Sequence, residues 1–418
     1  MTKKSKHKIH AVNDVKESKH FCMAPWVHMY ILPDLKVLPC CVTSHEDSYG
    51  SAGEKSLFEA WNSEKFKDMR TKLLNDEPVY SCEYCYTLEK NGSESMRKRL
   101  NSQFSQHLDF VKSTSDEGQV NKFKLNYLDF RFSNFCNFKC RGCSPTLSTS
   151  WYEDHEKLWD FNSDLPKVVN KIKDYPKIWE ELENQFENLE IAYFAGGEPL
   201  MMEEHYLCLK HFIENNQVNI ELNYNTNLSV LKYKKYDLIE MWRKFKNIKL
   251  MISVDDIETR GEYFRSGLVW QKLVSNIEII RKELPHVEVS INCTISLFNI
   301  GRIPLIHNYF YSRGFVDEVG FLFNTLLTPE CYRSQILPEN MKKKISFKAQ
   351  MYMKSLFQLY PGKDWSYFIS SYQNEIDFMN QEVDQKFFDD FKARTEKLDE
   401  IRSESFVETY PELSSLLD

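Results

Sequence analysis

Residues 133–145, SNFCNFKCRGCSP, set Cys136, Cys140 and Cys143 in a CX3CX2C spacing directly after a strand-like run, 123–132 (FKLNYLDFRF). So short a loop can wrap three thiolates around three corners of an iron–sulfur cubane and leave the fourth iron without a protein ligand. Electron-transfer clusters usually take four cysteines, whereas an open iron binds a substrate or cofactor directly. The competing reading is a zinc site completed by a distant Cys or His.

Outward from this loop the chain becomes regular. Strand composition recurs at 188–195 (NLEIAYFA), 218–225 (VNIELNYN), 247–255 (NIKLMISVD), 287–295 (VEVSINCTI) and 316–323 (VDEVGFLF), each followed by a segment of helical periodicity. Leu209, Phe212 and Ile213 follow the second strand at helical spacing, and Leu273, Ile277 and Ile280 follow the fourth. Six βα units in order predict an α/β fold with a parallel sheet, curved into a partial (β/α)6 barrel of TIM type or laid out as an open doubly wound sheet. In either arrangement ligands bind at the carboxyl ends of the strands.

Those ends carry the candidate residues. The second strand runs into Gly196, Gly197, Glu198 and Pro199, where two glycines let the backbone approach a ligand and a carboxylate can accept from an ammonium group; a tight turn with a surface Glu is the plainer reading. Asn225, Thr226 and Asn227 end the third strand, and Ser253 and Asp255 the fourth, offering hydrogen bonds to a ribose or substrate, or simply turn caps. Arg265 lies ten residues past Asp255, and Thr294 and Asn299 follow the fifth strand.

A second cysteine group precedes residue 100: FCMAPW with Cys22, LKVLPCC with Cys40, and SCEYCY with Cys82 and Cys85. Four thiolates close a site on all sides, and either zinc or a [4Fe-4S] cluster satisfies that chemistry. Cys41 stands as an alternative to Cys40, and Cys208, Cys293 and Cys331 read as buried small hydrophobes. Eleven cysteines among 418 residues, with no apolar leader and no membrane-length run, point to metal or redox chemistry in a reducing cytoplasm. A net charge of −7 argues against nucleic-acid binding, and the cluster Lys3, Lys4, Lys6 and Lys8 reads as a solubilising arm. The organisation expected is a disordered basic tail over 1–19, a cysteine-rich domain over 20–100, a polar linker over 101–122, the βα core over 123–330 and a helical C-terminal extension over 331–418, with Pro338 near its first helix start.

The CX3CX2C loop after the first strand, followed by GGEP after the second, resembles the radical S-adenosylmethionine (SAM) superfamily over residues 123–330. The resemblance implies that SAM chelates the open iron of a [4Fe-4S] cluster and that one electron breaks its S–C5′ bond. The resulting 5′-deoxyadenosyl radical then takes a hydrogen atom from the substrate. It implies that Gly196, Gly197 and Glu198 contact the methionine ammonium and Arg265 the carboxylate. Thr226, Asn227, Ser253, Asp255, Thr294 and Asn299 are then the further cofactor candidates. No residue is singled out as a hydrogen or proton partner. The family often has an aromatic residue just before the third cysteine, where this chain has Gly142.

The order FC, proline, PCC, WNSEKFKDMR and CXXC is similar to the auxiliary-cluster modules called SPASM and twitch domains, with a single-cluster, twitch-like set the better match. These modules usually follow the core and carry a glycine where this chain has Leu35. The resemblance implies an auxiliary [4Fe-4S] cluster, a low-potential electron donor such as flavodoxin or ferredoxin, and a peptide or protein side chain as substrate. A small molecule such as a nucleotide or sugar is the nearest alternative. A non-catalytic zinc-binding scaffold is the alternative of a different class.

Overall fold

The computed structural model describes residues 18–44, 47–53, 55–90, 94–159, 167–384 and 386–417. The expected basic tail, with Lys3, Lys4, Lys6 and Lys8, lies outside them except for residues 18 and 19. The chain divides into two compact units that interleave in sequence: residues 1–133, 169–195 and 210–222 form the first, and residues 134–168, 196–209 and 223–418 the second.

In the first unit the strands are β1 (His28–Ile31), β2 (Lys36–Leu38), β3 (Gly50–Ser51), β4 (Tyr127–Phe130), β5 (Ile191–Phe194) and the start of β6 (Glu221–Thr226), in the order β6-β5-β4-β1-β2-β3. β4 pairs parallel with β5 and with β1, so that Tyr30, Asp129 and Tyr193 form one row. Every residue of β1 and β4 is buried, as parallel strands covered on both faces require. Asp129, fully buried in that row, is neutralised by Arg131, which donates to it through Nε (2.8 Å) and Nη2 (3.1 Å). The Arg131 guanidinium lies 5.2 Å from the Tyr30 and Tyr193 ring centres. Residues 28–31 offered no strand signal in the sequence: four residues are too few for alternation to register. The span 101–122 includes the end of the helix Met96–Gln103 and the short helix Leu108–Lys112.

Helix α1 (Glu64–Leu74) is started by Ser63, whose hydroxyl accepts from the Phe66 amide, and it carries Arg70 into the interior. Arg70 is fully buried with no carboxylate partner; it donates to the carbonyls of Pro25 (2.9 Å), Trp61 (2.8 Å) and Gly118 (3.4 Å) and to Asn62 Oδ1 (3.4 Å). Burial without a counter-charge lowers its pKa to about 9. Helix α2 (Pro176–Phe186), with proline at its first position, carries Ile178, Leu182 and Phe186 into the core.

The second unit takes up β6 from Asn223 and continues with β7 (Asn247–Ser253), β8 (Glu288–Ile295) and β9 (Phe321–Thr325), in the order β6-β7-β8-β9. β7, β8 and β9 run parallel, with Ser253 opposite Asn292 and Thr294 opposite Asn324. All six strands expected of the βα core form, and the strand order within each unit is open, as a partial (β/α)6 barrel requires. Burial alternates along β6, β7 and β8, the buried residues including Tyr224, Ile252 and Ile291 and the half-exposed ones Asn225, Ser253 and Asn292. Helices α3 (Glu203–Glu214), α4 (Trp270–Glu283) and α5 (Ile303–Ser312) follow β5, β7 and β8.

The C-terminal extension is helical, as expected. Pro338 caps α6 (Glu339–Leu359), which α7 (Ser366–Met379) and α8 (Lys386–Arg402) follow. On α7, Glu375 is buried and accepts a hydrogen bond from Thr325 Oγ1 (2.6 Å), while its Oε2 has no partner. Burial raises its pKa to about 7, and the Thr325 bond opposes the shift.

Two outcomes follow. Arg70→Met strips several buried acceptors of their donor and lowers unfolding free energy by about 2–4 kcal/mol, read from urea titration. Because the folded-state pKa of Glu375 stands above its unfolded value, the parent loses stability as pH rises from about 4.5 to about 7. Glu375→Gln removes that slope, so the melting temperature of the variant relative to the parent increases across this window.

Candidate cluster and cofactor site

The cysteine loop leaves β4 in extended conformation and is held in place by backbone and side-chain bonds within the second unit. Lys139 N–H donates to Ser266 O (2.9 Å), Arg141 N–H to Phe264 O (2.7 Å), and Cys143 N–H closes a turn onto Cys140 O (2.9 Å). Ser150 Oγ donates to Cys136 O (2.7 Å) and Trp151 Nε1 to Cys140 O (2.7 Å). These bonds fix the loop's backbone, and Phe138 N–H donates to Cys136 Sγ (3.4 Å).

Burial raises the pKa of all three thiols, and each pair among Cys136, Cys140 and Cys143 is close enough for their charges to repel. A cationic metal centre reverses that preference for the neutral thiol. Among the described residues no three His, Cys, Asp or Glu side chains gather as ligands of one metal ion. A single zinc would draw each sulfur to about 2.3 Å. By its chemistry the donor set of three thiols on one short loop fits a cubane with one iron left open.

Two polar chains converge on this loop. In the first, Glu198 is fully buried; its Oε1 accepts from Thr226 Oγ1 (2.6 Å) and Leu200 N (3.0 Å), and its Oε2 from Asn227 N (2.7 Å). Burial raises the Glu198 pKa to about 7 against these bonds. Asn227 then reaches Asn137 Oδ1 (3.0 Å) and Cys136 Sγ (3.9 Å) through Nδ2. Gly196 (φ 78°) and Gly197 (φ 50°) take left-handed conformations, and a Cβ on Gly197 would stand 2.2 Å from Phe135 O. Only glycine permits that approach.

In the second chain, Arg265 Nη1 lies 3.7 Å from Cys140 Sγ, and its Nε lies 2.8 Å from Asp255 Oδ2. Asp255 Oδ1 accepts from Thr294 N (2.8 Å). Asn299 Nδ2 donates to Asp255 O (2.8 Å) and Thr294 O (2.9 Å), while its Oδ1 accepts from Ser296 N (2.9 Å), so its amide is spent on shaping the loop. Ser253 stands apart from both chains and donates to Asn225 Oδ1 (3.1 Å). At Gly142 a side chain would meet Leu326 (3.1 Å) and Phe264 (3.4 Å), which already fill the space.

Sequence reasoning missed Asn137, which lies inside the CX3C segment and carried a readable signal. It also missed Trp151, whose bond to Cys140 O spans eleven residues and has no motif.

In the first unit Cys22, Cys40, Cys82 and Cys85 are all buried, and every pair among them is close enough to repel when ionised. Cys41 turns elsewhere: its Sγ lies 3.7 Å from Met96 Sδ, and burial pushes its pKa up to about 12. Arg97 sets positive charge beside the group while donating to Phe21 O (2.7 Å) and to Glu89. Leu35 closes the β1–β2 hairpin at φ 67°, the left-handed conformation that favours glycine. All eleven cysteines are free thiols.

Comparison with known proteins agrees with this reading. Residues 130–299 match the model described as the radical SAM superfamily, and residues 22–86 match SPASM, an iron–sulfur cluster-binding domain. No curated protein matches. Similar solved structures include hexahistidine-tagged anSMEcpe with bound AdoMet, at 20% identity over 57% of this chain and 58% of that one, TM-score 0.39. Streptococcus suis SuiB bound to S-adenosylmethionine is 14% identical over 72% and 69%, TM-score 0.39. SuiB bound to precursor peptide SuiA is 13% identical over 77% and 79%, TM-score 0.37. The chain thus spans less than two thirds of the length of the first, and likenesses this distant carry no argument of their own. The two domain matches imply [4Fe-4S] clusters and SAM as cofactors. The chain carries a radical SAM superfamily domain over residues 130–299 and, N-terminal to it, a SPASM iron–sulfur cluster-binding domain over residues 22–86.

Proposed function

We propose that this chain is a radical SAM enzyme that cleaves its cofactor reductively at a [4Fe-4S] cluster held by Cys136, Cys140 and Cys143, and abstracts hydrogen from a peptide or protein side chain. The observation that carries the reading is a set of three mutually repelling thiols on one short loop, approached by Asn227 at Cys136 and by Arg265 at Cys140. When bound, the cluster supplies the electron that breaks the S–C5′ bond of SAM.

The chain's own residues bind and orient. Gly196, Gly197 and Glu198 serve the methionine ammonium end, Glu198 also fixing Thr226 and Asn227. Arg265 serves the carboxylate with Asp255 behind it, and Ser253, Thr294 and Asn299 are assigned to the adenosine end. Cys22, Cys40, Cys82 and Cys85 would hold the auxiliary cluster, with domain limits near residues 20–100 for that module and 123–330 for the core. The electron donor is a low-potential carrier such as flavodoxin or ferredoxin. Among the described residues no helix is long and apolar enough to cross a membrane.

A peptide substrate draws support from the half-exposed face of β6 to β9 in the second unit. Asn225 Oδ1 accepts from Asn292 Nδ2 (3.0 Å), and Asn292 Oδ1 accepts from Asn324 Nδ2. With Ser253, Ser290 and Thr294, this face offers neutral amides and hydroxyls; its one cation, Lys249, stands at the amino end opposite Glu288. Peptide groups match such donors and acceptors, whereas the phosphates of a nucleotide would want cations.

The test is 5′-deoxyadenosine release from SAM by the anaerobically reconstituted protein with strong reductant. Cys140→Ala abolishes it; equal release by variant and parent would refute the assignment. Cys82→Ala retains most 5′-deoxyadenosine release while losing the iron of the auxiliary cluster, and simultaneous loss of both would count against separate roles for the two cysteine sets.

A further inference from the structure

The last turn of α8, far outside the matched core, grips the residues on either side of Cys140. Arg141, fully buried, donates through Nη2 to Asp399 Oδ1 (2.5 Å) and Glu404 Oε2 (2.6 Å), and its guanidinium stacks 3.8 Å from the Tyr263 ring centre. Asp399 also accepts from Tyr263 Oη (2.7 Å). On the other side, Lys139 Nζ donates to Asp154 Oδ1 (2.9 Å), and Arg402 Nε donates to Asp154 Oδ2 (2.7 Å).

Arg402 is the unusual member. Its side chain is 1% exposed, yet among the described residues Nη1 and Nη2 have no hydrogen-bond acceptor. Buried polar nitrogens are rarely left so, because each costs its full hydration. The guanidinium lies 4.8 Å from the ring centre of Trp151, and Trp151 Nε1 holds Cys140 O. Asp154, 2% exposed, is shared by two cations, Lys139 and Arg402, while Arg141 is shared by two carboxylates, Asp399 and Glu404, so three cations balance three carboxylates beside the cysteine loop and loss of Arg402 would leave that network one positive charge short.

We propose that Arg402, delivered by the C-terminal helix α8, is a positioning residue for the CX3CX2C cluster, fixing the loop through Asp154 and Trp151 and raising the cluster's reduction potential with its buried charge. The proposal rests on reading that loop as the site of a [4Fe-4S] cluster. Reduction adds one negative charge to the cluster, and a buried cation in a water-poor setting favours the reduced form, so removing it disfavours reduction. The C-terminal extension is therefore part of the cofactor site rather than a cover over it.

The test uses the full-length protein, reconstituted anaerobically, and an EPR-monitored redox titration of the cluster whose signal changes on adding SAM. Arg402→Met shifts its midpoint to more negative potential, and Arg402→Lys recovers most of that shift. Lys397→Met, which removes an exposed charge from the same helix, leaves the midpoint in place. Loss of iron from Arg402→Met but not Arg402→Lys, with the metal-free melting temperature unchanged, supports the same role. A parental midpoint in fully loaded Arg402→Met overturns the proposal, as does an equal fall in metal-free melting temperature and iron content in both Arg402 variants, which marks a purely structural part. A parent that takes up no iron overturns instead the cluster reading beneath it.

Discussion

Three thiols that repel one another, Cys136 buried and Cys140 and Cys143 half-buried, are the constraint around which the second unit is arranged. Left alone, burial and mutual repulsion hold them neutral, the form that does not bind iron. The fold answers with backbone and charge together. The loop is tied to residues 264 and 266 by main-chain bonds, so the sulfurs cannot drift apart, and Arg265 stands against Cys140. The carboxylates Asp255, Asp399, Glu404 and Asp154 then keep the surrounding guanidinium and ammonium groups in place. Charge is thus organised in layers, thiol, cation and carboxylate, around a loop of thirteen residues at 133–145.

The glycines and Glu198 solve a different problem, that of bringing one loop against another without a clash. Gly197 passes so close to Phe135 O that any side chain would collide, and the neighbouring Glu198 N–H donates to that same carbonyl (2.7 Å). Glu198 then sends both carboxyl oxygens to the end of β6. A short GGE sequence therefore knits the end of β6 to the cysteine loop, whatever else its backbone meets.

Much of this was legible in the sequence, and the reasons differ by element. The strands of the core declared themselves because their alternation is long enough to read, as in 247–255 and 287–295, and the cysteine loop because three ligands close together in the chain fix their own spacing. Glu198, Thr226, Asn227 and Asp255 could be picked out because they sit at strand ends, where βα topology sends ligands, whereas Arg265, at the end of the helix Glu258–Phe264, came from the family resemblance. Arg402 and Asp399 lay beyond such reasoning: the bond from Arg402 to Asp154 spans 248 residues, and that from Arg141 to Asp399 spans 258. Their helix reads as an ordinary charged, amphipathic segment. Leu35 shows the opposite case, where a residue poorly suited to its backbone angle is retained with its side chain 2% exposed, burial offsetting the strain.

β1 lies between Cys22 and Cys40 in the chain and takes its hydrogen bonds from β4, the strand that leads into the CX3CX2C loop. The cysteine-rich segment is therefore woven into the sheet rather than appended to it. Excising it would bare one side of β4 along its whole length, an unsatisfied and apolar rim of the kind through which chains stick to one another. Nor could the segment be grafted whole onto a foreign scaffold, since a third of its own hairpin sheet would arrive without the neighbour that completes it.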